Sequence, residues 1–206
     1  MGPVWEAAAI AGWAVVLLNL LLTLRLVRWL RSFQAAQRLD DTRGDLPELP
    51  LGEPAPAFRA KDLSGRVVRS EDLFVRETAL VFVSPHCGPC RREMPGLVQL
   101  ETVASQRAGA QILLVSEGGS GETQSWVAQI RDDDKVDLTM PVLLASAKTS
   151  DFQARYNPRS VTPYFCHIDE TGNVTGRGGL HSPAWAAIVK RWDATASPGR
   201  SLRRYT

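Results

Sequence analysis

Cysteine is scarce in this chain of 206 residues: three are present, Cys87, Cys90 and Cys166. Three cannot make the disulfide scaffold that small secreted domains depend on. A basic stripe interleaved with aromatics is also missing. The formal net charge is only +2 and the Lys and Arg are scattered, so nucleic acid is not an expected partner. No internal repeat and no low-complexity tract interrupts the chain. Neither Lys nor Arg precedes Arg25, so the basic leader of a cleaved signal peptide is lacking.

What is present is concentrated at Cys87-Gly88-Pro89-Cys90. This motif follows the apolar run Thr78 to Ser84 and precedes a segment with Met94, Leu97 and Val98 at helical spacing. In that context the two sulfurs fall on the first turn of a helix, close enough to form a Cys87–Cys90 disulfide. The helix dipole then lowers the pKa of the first thiol. A thiolate so placed attacks a disulfide, and the second Cys resolves the mixed disulfide. The chemistry implied is thiol–disulfide exchange, with Cys87 as nucleophile and Cys90 as resolving thiol. It needs no small cofactor, because the two sulfurs carry the electrons. A zinc half-site is the competing reading. Zinc would need two further ligands, and Cys166, His86, His167 and His181 supply no second pair at ligand spacing; no metal is expected.

The N-terminus carries the second signal. Residues 7–24 form an 18-residue stretch without a charge, roughly 27 Å long as a helix. That suits one transmembrane helix held in the lipid bilayer by residues 7–24, with Arg25 able to snorkel. We read residues 1–33 as anchor and juxtamembrane helix, 34–50 as a Pro- and acid-rich linker, 51–195 as the folded domain and 196–206 as a basic tail.

Within the domain, strands are expected at 66–69, 78–84, 111–116, 141–144, 164–168 and 173–177. Helices are expected at 89–104, 122–131, from Ser150 or Asp151 to Tyr156, and from Pro183 onward, the last capped by Ser182 with Trp185, Ile188, Val189 and Trp192 on one face. Gly118 to Gly121 reads as a loop and Asp132-Asp133-Asp134 as an acidic turn. Asp169 to Gly172 reads as the turn of a hairpin.

A βαβ unit followed by an antiparallel hairpin and a closing helix, with CxxC on the first major strand-to-helix turn, resembles the thioredoxin layout. The fold class expected is therefore α/β, a thioredoxin-like central mixed sheet flanked by helices. Leu51-Gly52-Glu53-Pro54-Ala55-Pro56-Ala57-Phe58 resembles the entry segment of the membrane-anchored, TlpA-like thioredoxins and of peroxiredoxin-related domains, and Cys87 to Pro95 is similar to the TlpA-like active-site pattern. Ser84 to Cys87, Thr162 to Asp169 and Gly178-Gly179-Leu180 resemble the subfamily that assists methylamine dehydrogenase maturation. The resemblance covers residues 51–195.

The resemblance implies a cis bond at Thr162-Pro163, with Pro163 packed against the dithiol and the Thr162 backbone left to pair with a substrate peptide. Gly88-Pro89 is the dipeptide of general thioredoxins and leans the site toward reducing disulfides; thioredoxin lies near about −270 mV against about −120 mV for the oxidant DsbA. His86 replaces the usual aromatic and as a cation could stabilise the Cys87 thiolate. Glu93 lies in the first turn of the helix, where a carboxylate suits the dipole. The buried carboxylate of thioredoxins, six positions before the first Cys, is replaced by Val81. An apolar groove is expected around Cys87, Pro163 and Tyr164. Cys166 reads as an inert core thiol, and no role is read for His167 or His181.

The partners implied are a disulfide-containing protein substrate, a membrane thiol–disulfide electron donor and the bilayer. A tethered maturation or binding module for a partner enzyme, with little redox turnover, is the alternative. Arg25, Arg28 and Arg31 favour a cytoplasmic domain by the positive-inside rule, whereas the resemblance places it outside the cytoplasm; the extracytoplasmic side of the cell membrane is the expectation carried forward.

Overall fold

The computed structural model describes residues 48–145 and 151–194, with six positions near the N-terminus. Those six, residues 13, 16, 17, 19, 20 and 23, are helical, and the Thr23 hydroxyl donates to the Asn19 carbonyl at 2.8 Å. The rest of the expected span 7–24, residues 25–47 and the tail lie outside the described residues. Among the described residues no helix is long and apolar enough to cross a membrane.

The remaining chain builds one seven-stranded sheet. The strands are β1 (Arg59–Asp62), β2 (Val67–Arg69), β3 (Thr78–Val83), β4 (Gln111–Ser116), β5 (Val142–Leu144), β6 (Tyr164–Ile168) and β7 (Val174–Gly179), in the order β2-β1-β5-β4-β3-β6-β7. β3, β4 and β5 run parallel, and β6 lies antiparallel to β3. The sheet is thus mixed, as expected. Ala79 to Val83 and Ile112 to Val115 are wholly buried. Parallel central strands covered on both faces read as continuous apolar runs, which is why these were legible.

The helices are α1 (Ser70–Leu73), α2 (Gly88–Val103, continued by a wider turn over Ala104–Ala108), α3 (Ser120–Asp134), α4 (Phe152–Tyr156) and α5 (Pro183–Ala194). Alternation along the strands divides the core in two. Ala79, Val81 and Val83 pack with Met94 and Leu97 of α2, Trp126 and Ile130 of α3, and the α5 face of Trp185, Ile188, Val189 and Trp192. Leu80 and Phe82 pack on the other side with Phe58, Phe152, Tyr156 and Tyr164.

Local capping explains the helix starts. The Ser182 hydroxyl accepts from Trp185 N at 3.3 Å, with Pro183 first in α5. Asp169 Oδ1 accepts the backbone N–H of Thr171 and of Asn173, each at 2.9 Å, closing the hairpin turn. Two expectations are corrected. α3 starts at Ser120, because the Glu122 carboxylate reaches back to Gly119 N and caps it. Asp132 to Asp134 belong to the end of α3, where Asp133 and Asp134 bind Arg91 of α2. Glu48 accepts a hydrogen bond from Arg177 Nε of β7 at 2.7 Å.

Candidate redox site

The end of β3 delivers Ser84 to Cys87 onto the N-terminus of α2. Cys87 is the N-cap residue, and its Sγ accepts Cys90 N–H at 3.0 Å. Gly88 and Pro89 fill the first two helical positions, where a missing proline donor costs no helical bond. The sulfurs form the expected Cys87–Cys90 disulfide, with Cα atoms 5.2 Å apart. The two are unequally placed. Cys90 is fully buried, whereas Cys87 is half-buried and Gly88 and Pro89 are exposed. The helix continues through Pro95.

β-sheet register brings the second wall. Phe82 pairs with Tyr164, so the residues just before β6 lie beside the turn just after β3. Thr162-Pro163 is cis, and the Thr162 carbonyl oxygen stands 3.5 Å from Cys87 Sγ. A residue that the sequence did not single out holds this loop. Asn157 is 1% exposed; its Nδ2 donates to Val161 O at 2.8 Å and its Oδ1 accepts Val161 N–H at 3.1 Å. The Asn157-Pro158 dipeptide was the available sign, since Asn before Pro marks a turn. Tyr164 departs from expectation. It is buried against Phe82 in the cluster on the opposite sheet face from Cys90 and does not join a groove with Cys87.

Two histidine–glutamate pairs flank the dithiol. His86 Nε2 lies 2.5 Å from Glu122 Oε1 on α3. His181 places Nε2 3.2 Å from Glu93 Oε1. Thus the structure seats His86 on a carboxylate of another helix, and Glu93 on a loop imidazole. At the position of the thioredoxin acid, Val81 is a wholly buried core residue.

Cys166 belongs to the other face of the sheet, in the cluster with Leu80 and Phe82, whereas Cys90 packs with Val81 and Val83. Burial pushes the Cys166 thiol up to about 12, as suits an inert core thiol. His167 is also buried, between Thr175 Oγ1 at 2.5 Å and Glu77 Oε1 at 2.7 Å. Arg191 of α5 donates to the same Glu77 oxygen. Burial by itself would raise the Glu77 carboxyl; hydrogen bonds from His167 and Trp192 and the charges of His167 and Arg191 outweigh it and hold it at about 2.

A thioredoxin-like sheet with a CxxC disulfide at the N-terminus of its first long helix defines a protein of the thiol–disulfide oxidoreductase fold class. Residues 51–177 match the AhpC/TSA family model, and the chain belongs to that family. Thioredoxin-like protein YneN of Bacillus subtilis (strain 168) is 28% identical over 123 residues, 60% of this chain and 68% of that protein. Two solved structures share the fold. A thiol:disulfide interchange protein from Bacteroides sp. has a TM-score of 0.57 at 19% identity, over 77% of this chain and 99% of that one. The thioredoxin domain of a thiol-disulfide oxidoreductase from Bacteroides vulgatus has a TM-score of 0.56 at 19% identity, over 70% and 99%.

Proposed function

We propose that the protein is a membrane-tethered thiol–disulfide oxidoreductase that reduces disulfides in partner proteins. The observation that carries this reading is the inequality of the paired sulfurs: Cys87 is half-buried at a helix N-terminus, and Cys90 is wholly buried behind it. Only the outer sulfur can meet a partner; only the inner one is kept for the second step.

In the reduced protein the Cys87 thiolate attacks one sulfur of the partner's disulfide. A mixed disulfide forms and the partner's other sulfur leaves as a thiolate. The Cys90 thiolate then attacks Cys87 Sγ, which releases the reduced partner and forms the Cys87–Cys90 disulfide. The Cys90 N–H, bonded to Cys87 Sγ at 3.0 Å, favours negative charge on the nucleophile. The Thr162 carbonyl is the neighbouring acceptor against which a partner's extended backbone aligns, with Pro163 behind it. Gly88-Pro89 supports the reducing direction.

Two electrons and two protons are needed to restore the dithiol, and a thiol–disulfide carrier in the membrane is the source we assign. The uncharged run 7–24 is the proposed anchor, as in TlpA-like proteins, and the redox domain works on the extracytoplasmic side.

The test is protein-disulfide reduction by the full chain with a dithiol donor. Replacing Cys87 by Ser is expected to lower the rate more than about 100-fold. Cys90→Ser is expected to accumulate the mixed disulfide with the partner. A Cys87→Ser protein that reduced disulfides at the unaltered rate would end this reading.

A further inference from the structure

The chain contains three histidines, and each pairs with a glutamate: His86 with Glu122, His167 with Glu77 and His181 with Glu93. The first pair concerns the residue next to Cys87. An imidazolium beside a thiolate lowers the thiol pKa and stabilises the reduced form, which makes a dithiol pair more oxidising. A histidine immediately before the nucleophile therefore argues against the reducing direction unless its charge is committed elsewhere.

The structure gives the His86 ring a carboxylate partner on α3. Glu122 Oε1 takes His86 Nε2 at 2.5 Å, and Glu122 Oε2 accepts Gly119 N–H at 3.2 Å. The carboxylate is thus anchored at the N-terminus of α3 and presented to the redox loop. Backbone packing brings the two segments together. A Cβ at Gly118 would stand 2.7 Å from Pro85 Cγ and 2.9 Å from Glu122 Oε2, so only glycine permits this approach. The pair forms part of the wall of a solvent-open recess of about 350 Å³. The other lining residues are Pro85, Ser125, Trp126 and Gln129, so no further charged side chain competes for His86 there.

We propose that Glu122 is a positioning residue of the redox site: by holding the His86 ring it keeps that ring from the Cys87 thiolate and thereby keeps the pair reducing. The inference rests on the disulfide-exchange reading above, and it explains how that reading tolerates a histidine at this position. With Glu122 neutralised, the His86 ring loses its carboxylate partner and is left with Cys87 as its neighbour in the chain.

The experiment is a cycle of Glu122→Gln and His86→Ala in the reduced full chain. Gln keeps an oxygen for the Gly119 N–H, so α3 retains its cap. In a Cys90→Ala background, the Cys87 thiolate is followed by ultraviolet absorbance against pH. Cys166, at about 12, contributes nothing below pH 10. On the foot of the titration, Glu122→Gln is expected to raise the thiolate fraction about two- to fivefold, the size of charge effects at an exposed site. Adding His86→Ala should remove that rise. With both cysteines intact, the equilibrium against a glutathione buffer should move toward the dithiol by a similar factor in Glu122→Gln and return in the double variant. A Glu122→Gln protein that titrates like the parent overturns the proposal. So does a shift that survives His86→Ala, because the carboxylate would then be acting without the imidazole. The titration needs no turnover, so loss of the disulfide-exchange reading and loss of this coupling are separately visible.

Discussion

His86–Glu122 and His167–Glu77 join the same two residue types in opposite settings. The first pair is open to water, with side-chain exposures of 82% and 43%; in the second they are 0% and 14%. The exposed pair links a loop to a helix end. The buried pair is tied to Thr175 on β7 and Arg191 on α5, so it fastens the closing helix to the sheet. In water, such a pair gains little net energy because solvent screens it and both side chains must be ordered. In the interior, removing one partner strands the other without solvent. One bond type can therefore serve adjustment at the dithiol and cohesion beneath α5.

The sharpest way to break this comparison is to remove the buried carboxylate. Glu77→Ala is expected to cost about 3–5 kcal/mol of unfolding free energy, read from urea unfolding of the full chain. A cost below about 1 kcal/mol would make the buried network no different from a surface pair. Acid should expose the same network. The Glu77 carboxyl is lowered from its ordinary 4.5 to about 2 in the folded protein. A group depressed on folding contributes stability that is complete above its unfolded value and is lost as the folded carboxyl becomes protonated. Stability should therefore fall as pH drops from about 4.5 toward 2, and Glu77→Gln should flatten that part of the curve. The smallest effect belongs to the exposed pair. Glu122→Gln, which keeps the cap on α3, should change the same unfolding free energy by no more than about 1 kcal/mol. A larger loss would place His86–Glu122 among the structural contacts and weaken its assignment to redox tuning.

Legibility in the sequence followed the kind of signal each element emits. β3, β4 and α2 announced themselves by unbroken apolar runs or by helical spacing, and Cys87 and Cys90 by a motif with a mechanism. The cis bond at Thr162-Pro163 came from family resemblance rather than from the residues alone. β1 was missed because Arg-Ala-Lys-Asp buries only Ala60, which leaves no alternating apolar signal to read. Asp132 to Asp134 look like a solvated turn in isolation; their place in α3 and the role of two of them depend on Arg91, which lies on another helix. Asn157, Glu122 and Glu77 act through partners distant in sequence or through backbone atoms. A single polar residue in a chain carries no mark of such pairing. The place of the Cys87–Cys90 pair was therefore readable, whereas the groups that position its neighbours needed the fold.

Cys87 and Cys90 are proposed to form a reducing pair. Its most direct test is the equilibrium reduction potential of the full chain, titrated against a thiol buffer. A reducing pair should give a value at the thioredoxin end of the range, about −270 mV. A value at or above the isomerase region, about −180 mV, would contradict it and make the pair a donor of disulfides rather than of electrons.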